Sequence, residues 1–288
     1  MKKILVVGGN GQLGQCLRKI APEFDWDYEF LFTDSSQLDI TDADSIESNF
    51  ADFNPNFVIN ASAYTAVDLA ETETEKAFAV NAEGVNFLAE ACQQYNATLI
   101  HVSTDYVFDG DTQISYSEDN FTNPTSVYGA SKREGEELAL EANPHTIIIR
   151  TSWLYSEFNK NFVKTMLHLF SIKNELNIVA DQFGQPTNAN DLAEAIMQMI
   201  RTPNKKYGIY HFSNYPETTW FHFAQKIAEI SQADIKLNGI TTSEYPTPAK
   251  RPKRSTMALD KIEEDYNIDI KNWENSLEGC LKTMTEKA

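Results

Sequence analysis

The chain opens on a short apolar run, KKILVV at 2–7. Four similar runs follow in the first half: YEFLFTD at 28–34, NFVINAS at 56–62, ATLIHVSTD at 97–105 and HTIIIRTS at 145–152. None alternates cleanly between polar and apolar positions, so each reads as a strand buried on both faces. Between them the period changes to that of amphipathic helices, in GQLGQCLRKIA at 11–21, DADSIESNFADF at 42–53, residues 73–95, and YGASKREGEELALEA at 128–142. Strands alternating with helices predict right-handed crossovers and a parallel sheet covered on both sides. The expected class is α/β, a doubly wound parallel (Rossmann) sheet.

After Trp153 the rhythm is less regular. NKNFVKTMLHLFSI at 159–172 and NDLAEAIMQMI at 190–200 read as helices, and YGIYHFSN at 207–214 as a strand. TTWFHFAQKIAEIS at 218–231 and WENSLEGCLKTMTEK at 273–287 read as further helices. NGITTSEYPTPAKRPKRST at 238–256 carries three prolines and reads as an extended loop. The division this predicts is a dinucleotide-binding domain over 1–155 and a smaller mixed α/β substrate-binding domain over 156–288. Later segments remain free to rejoin the first, and a ligand cleft is expected between the two.

Composition removes several alternatives. With 42 acidic against 24 basic residues the formal charge is −18, which disfavours a nucleic-acid partner and makes local cations necessary for any anionic ligand. The dense basic group is Lys250, Arg251, Lys253 and Arg254. No apolar run approaches the roughly 20 residues that span a bilayer, and MKK leads straight into a strand rather than a signal sequence. Cys16, Cys92 and Cys280 are far apart with no C-x-x-C spacing, which fits free thiols in the cytoplasm; the five histidines offer no zinc spacing, and no metal site is expected.

The candidate chemistry begins at VVGGNGQLG, residues 6–14. Gly9, Gly11 and Gly14 fit G-x-G-x-x-G, whereas Gly8, Gly11 and Gly14 fit G-x-x-G-x-x-G. Lying between a strand and a helix, such a turn lets the backbone approach a pyrophosphate while the helix amides receive its charge. Asp34 follows about 20 residues later at a strand end, where a carboxylate meets the adenosine ribose. That carboxylate favours NADH; Ser35 and Ser36 would tolerate a 2′-phosphate, so NADPH stays open. Asp39 and Ile40 stand where an adenine contact is expected, or else in a helix-capping loop.

Two further strings supply reactive groups. Ser103, Thr104, Asp105 and Tyr106 end a strand, and Tyr128 and Lys132 sit one helical turn apart on one face. A tyrosine's ordinary pKa is about 10, and a neighbouring ammonium draws it toward neutrality, making it a usable acid or base. Thr104 can hydrogen-bond the reacting oxygen.

The order GGNGQLG, STD, Y-x-x-x-K resembles the extended short-chain dehydrogenase/reductases, whose glycine spacing selects Gly8, Gly11 and Gly14 and leaves Gly9 accessory. NASAYTAVDLAE at 60–71, STDYVFDG at 103–110, RTSWLY at 150–155, DQFGQPT at 181–187 and YPTPAKRP at 245–252 narrow the resemblance to the dTDP-4-dehydrorhamnose reductase branch. It implies reduction of a 4-keto dTDP-sugar by NADPH or NADH. Tyr128 would be the proton donor, with Lys132 and Thr104 assisting it. The same resemblance implies cofactor contacts from Gln12, Leu13, Ala61, Ala63, Tyr64 and Thr65. It implies substrate contacts from Thr104, Asp105, Tyr106, Trp153 and Arg251. The related 4,6-dehydratases carry Thr-Asp-Glu where this chain has Thr-Asp-Tyr, so the carboxylate needed for elimination is missing at Tyr106. The alternatives are an epimerase or reductase of another sugar nucleotide, and a non-catalytic dinucleotide-binding regulatory subunit. Sequence leaves the oligomeric state open, a homodimer included, and Mg²⁺ without a located site.

Overall fold

The first five apolar runs become parallel strands in the structure, a computed structural model that describes residues 1–286. They are β1 (Lys2–Val7), β2 (Tyr28–Thr33), β3 (Phe57–Asn60), β4 (Thr98–Thr104) and β5 (Thr146–Thr151). A sixth, β6 (Gly208–His211), joins beside β5, giving the order β6-β5-β4-β3-β1-β2. Every pairing in this sheet is parallel.

Period two sends alternate residues of these strands into two cores. Ile4, Val6, Ile59, Ile100, Ile147 and Ile149 meet α1 (Gln12–Ile20) and α5 (Ala189–Arg201) through Leu13, Leu17, Leu192 and Ile196. Leu5, Val7, Val58, Leu99 and Ile148 meet α2 (Ala43–Phe53), α3 (Gly84–Gln94) and α4 (Val127–Ala142) through Ile46, Phe50, Val85, Leu88 and Ala139. Both faces are therefore covered, which is why the strands read as unbroken apolar runs. Strand order reverses between β1 and β3. The crevice at their carboxyl ends is where an open sheet of this kind receives its ligand.

A smaller unit packs beside this end. Helices Phe162–Ile172, Trp220–Ser231 and Trp273–Glu286 enclose Val163, Met166, Phe223, Ile227, Trp273 and Leu277. Residue 287, at the end of the predicted closing helix, lies outside the described residues. Beyond a cut at 155, Ala189–Arg201, Gly208–His211 and Asp260–Tyr266 return to the large sheet, placing Met199, Tyr210, Ile262 and Tyr266 in its core. The predicted loop from 238 also needs correcting at its start. Lys236–Ile240 is a strand, paired in parallel with Glu175–Val179. Its Asn238-Gly239 signals a turn locally, and the partner strand overrides that signal.

Candidate active site

The site builds outward from the glycine turn. Gly8 has φ +81°, which glycine adopts without strain, and a Cβ there would meet backbone atoms of Ala61 and Ser62 at 2.8–3.0 Å. Gly11 caps α1 with extended backbone and no side-chain bond to the first-turn amides; no acidic residue occupies that turn. Those amides consequently face the cleft unpaired by any side chain, the arrangement that accepts a pyrophosphate. At the next strand end, Asn10 Nδ2 donates to Asp34 at 2.8 Å, and the Ser36 hydroxyl donates to the same carboxylate at 2.6 Å. These bonds hold the Asp34 carboxyl below its usual range.

A cleft of about 750 Å³ runs from this turn to the smaller unit. Its lining includes Gly8, Gly11, Gln12, Leu13, Asp34, Asp39, Ile40, Ala61, Ala63 and Thr65 at the dinucleotide end. Thr104, Asp105, Tyr106, Tyr128, Lys132 and Trp153 line the far end. Donors, cradle and volume together fit a dinucleotide. Ser35 also lines this end, while Asp39 accepts the Thr41 amide and hydroxyl in its own small turn and Asp42 caps α2.

Three expected contacts lie elsewhere. Gly14 is set behind the turn, where its bare Cα lets α1 approach Gly8 and Gly9. Tyr64 turns its hydroxyl to Glu73 at 3.0 Å, leaving its neighbours Ala63 and Thr65 in the cleft wall. Arg251 donates through Nη1 and Nη2 to the two Asp68 carboxylate oxygens, each at 2.8 Å, and does not line the cleft. Among the described residues, the basic side chains that do are Lys132 and, not anticipated, Lys160. Lys160 follows Asn159, whose amide bonds Asn10 O at 2.8 Å and Gln15 at 3.0 Å, tying this loop to the glycine turn.

The reactive end rests on α4. Ser126 caps it by accepting from Gly129, and a fully buried ion pair, Glu136 with Arg150 at 2.7 Å, ties it to β5. Ser131 accepts from Asn81. Asn81 sits in a π turn, Ala79–Glu83, and also bonds both backbone groups of Tyr64. Tyr128 and Lys132 are held in register by these contacts. Lys132 is 1% exposed, and burial pulls its pKa down to about 8. The Tyr128 phenol is pushed up to about 12 by desolvation, opposed by its hydrogen bond with Thr104. The Thr104 hydroxyl also lies within hydrogen-bond reach of Asp105, donating to it at 3.1 Å. Burial raises Asp105 to about 6, and the Tyr106 ring packs edge-on against Tyr128 with centroids 5.6 Å apart.

The smaller unit supplies the opposite wall. Trp153 stacks on Trp220 with centroids 3.6 Å apart and planes 13° from parallel. Trp153 holds φ +48°, an unusual conformation for a bulky residue that turns the chain immediately after β5. Sequence gave no reason to single out Trp220, since an apolar residue opening an amphipathic helix reads as core.

Comparison with known proteins agrees with this geometry. A family model described as the RmlD substrate binding domain matches residues 1–286. A dTDP-4-dehydrorhamnose reductase from Aggregatibacter actinomycetemcomitans is 44% identical, covering 97% of this chain and 98% of that protein. One from Sinorhizobium fredii is 42% identical over 95% of each. The crystal structure of dTDP-4-dehydrorhamnose reductase from Bacillus anthracis in complex with NADP superposes with a TM-score of 0.94 at 37% identity, covering 98% of this chain and all of that one.

Proposed function

The chain belongs to the RmlD substrate binding domain family, and from that premise we propose that it reduces the C4 ketone of dTDP-4-dehydro-L-rhamnose to dTDP-L-rhamnose, using NADPH or NADH. The observation that carries this reading is a tyrosine proton donor set between Thr104 and Lys132, with Tyr106 where a dehydratase would need a carboxylate. Ketone reduction requires one hydride and one proton, and this site offers one proton donor.

The bound reduced nicotinamide supplies the hydride. Gly8, Gly11 and the first-turn amides of α1 would hold its pyrophosphate, and Asp34 its adenosine ribose. Lys132, which lines the cleft, would hold the nicotinamide ribose. Tyr128 gives its proton to the oxygen at C4 as negative charge develops there, and Thr104 steadies that oxygen. Asp105, Tyr106 and Trp153 would contact the sugar. Lys160, facing the cleft, meets the need for a cation near a diphosphate that Arg251, held by Asp68, does not fill. The smaller unit is accordingly read as the substrate-binding part of a cytoplasmic enzyme.

The direct test is to supply dTDP-4-dehydrorhamnose with each reduced cofactor and follow loss of nicotinamide absorbance. Consumption of one cofactor per ketone supports the reading. An epimerase would interconvert sugars with no net consumption, and a regulatory subunit would bind cofactor without turnover.

Two substitutions probe individual roles. Thr104→Val keeps the shape but removes the hydroxyl, and kcat should fall by roughly 10²-fold with little change in KM, measured by steady-state kinetics. Asp34→Ser removes the charge that repels a 2′-phosphate. The ratio of kcat/KM for NADPH over NADH should rise by roughly tenfold, about 1.4 kcal/mol; an unchanged ratio would remove Asp34 from the ribose.

A further inference from the structure

Behind Lys132 runs a buried chain of hydrogen bonds that this chemistry does not use. Asn60 at the end of β3 and His101 on β4 are both 0% exposed and are register partners across the sheet. Asn60 Nδ2 lies 3.0 Å from His101 Nδ1, and His101 Nε2 lies 3.1 Å from Lys132 Nζ. At the other end, Asn60 Oδ1 accepts the Ser62 backbone N–H at 3.1 Å and the Ser62 hydroxyl at 2.6 Å.

The direction of every bond follows from that end. A backbone N–H only donates, so the atom it meets is the Asn60 oxygen, and the amide nitrogen is turned toward His101. That nitrogen also only donates, which makes His101 Nδ1 an acceptor and puts the ring proton on Nε2. The Nε2–H then points at Lys132, which already donates to the Val102 carbonyl at 2.8 Å. An ammonium has no lone pair to offer an N–H, whereas a neutral amine has one. A doubly protonated ring would set its Nδ1–H against the donating Asn60 amide, and burial holds the His101 pKa well below its ordinary value.

We propose that Asn60 and His101 are positioning residues that lower the proton affinity of Lys132 in the cofactor-free protein, by holding His101 as its Nε2–H tautomer. Other groups around Lys132 leave this control in place. Burial lowers its proton affinity, and Glu136 on the same helix, which raises it, is itself paired to Arg150 of β5. Asp105, beyond β4, acts on Tyr128, and the π turn contributes Asn81, which is uncharged. A new acceptor reaching Lys132, such as a ribose hydroxyl, would favour its ammonium form and strengthen its pull on the Tyr128 proton. This inference rests on the reading of Tyr128 as proton donor.

The test uses the cofactor-free protein with isotope-labelled histidine and lysine, following the His101 tautomer and the titration of the Lys132 ε-carbon by NMR. In the native protein His101 should be the Nε2–H tautomer. Asn60→Asp offers an acceptor where the amide donated while its other oxygen keeps both Ser62 bonds, so His101 should switch to Nδ1–H. Its Nε2 then accepts from Lys132, whose midpoint should rise by at least one pH unit, roughly tenfold in proton affinity. A native Nδ1–H or imidazolium ring would overturn the proposal. So would an unmoved midpoint, or a raised midpoint without a tautomer switch, since the latter reports only the added charge. If Asn60→Asp does not fold, the native tautomer decides alone. No turnover is involved, so failure of the reductase assay and failure of this test are separable.

Discussion

Tyr128→Phe is expected to lower kcat by about 10³-fold while leaving cofactor affinity within a factor of a few. The loss falls within the range of a positioned general acid. Few other groups in the cleft can give a proton. Thr104 can hydrogen-bond the ketone oxygen, but an aliphatic hydroxyl is a far weaker acid than a phenol and does not give its proton up. Lys132 donates to Val102 O and lies behind the tyrosine. Tyr106 is held well above the ordinary tyrosine range by burial and by Asp105, so it titrates poorly. None substitutes for Tyr128 at the ketone oxygen. Phenylalanine preserves the ring that packs on Tyr106, so the fold should be unchanged by circular dichroism. Stopped-flow single turnovers would place the loss in the chemical step. Near-normal turnover in Tyr128→Phe would remove the tyrosine from the mechanism.

Gly14→Ala should distort the glycine turn and destabilise the fold. A Cβ at this position would lie 2.4 Å from Gly8 O, 2.6 Å from Gly9 Cα and 2.7 Å from Gly9 C. All three are backbone atoms that cannot rotate away, so either α1 retreats from the sheet or the turn deforms. Overpacking of this kind costs about 3 kcal/mol, and for a chain of this size that corresponds to a Tm lower by roughly 6–12 °C. Because the displaced atoms are the cradle itself, dinucleotide affinity should fall by more than tenfold, read by calorimetric titration. Gly14 would thus act on the cofactor through the turn it packs against, since it does not itself line the cleft.

What was legible in the sequence was what neighbouring residues encode. The turn with Gly8 and Gly11, the strand end at Thr104, and the pair Tyr128–Lys132 are each local strings, and all converge on one cleft. Continuous apolar strands announced a sheet covered on both sides because period two fills two cores at once. Features set by distant partners were hidden. Arg251 looked like a free cation because Asp68, which binds it, lies 183 positions away. The strand at Lys236–Ile240 depends on Glu175–Val179 and not on its own Asn-Gly. Asn60 and His101 read as ordinary strand residues until the sheet register set them side by side behind Lys132.

The central claim is that this cleft delivers hydride to C4 of the sugar. Reduced cofactor deuterated at the transferring position, incubated with dTDP-4-dehydrorhamnose and the purified protein, measures this directly. The account predicts one deuterium at C4 of the dTDP-L-rhamnose formed, with one equivalent of cofactor oxidised. Bound cofactor that is not oxidised, or a product carrying no deuterium at C4, would contradict it.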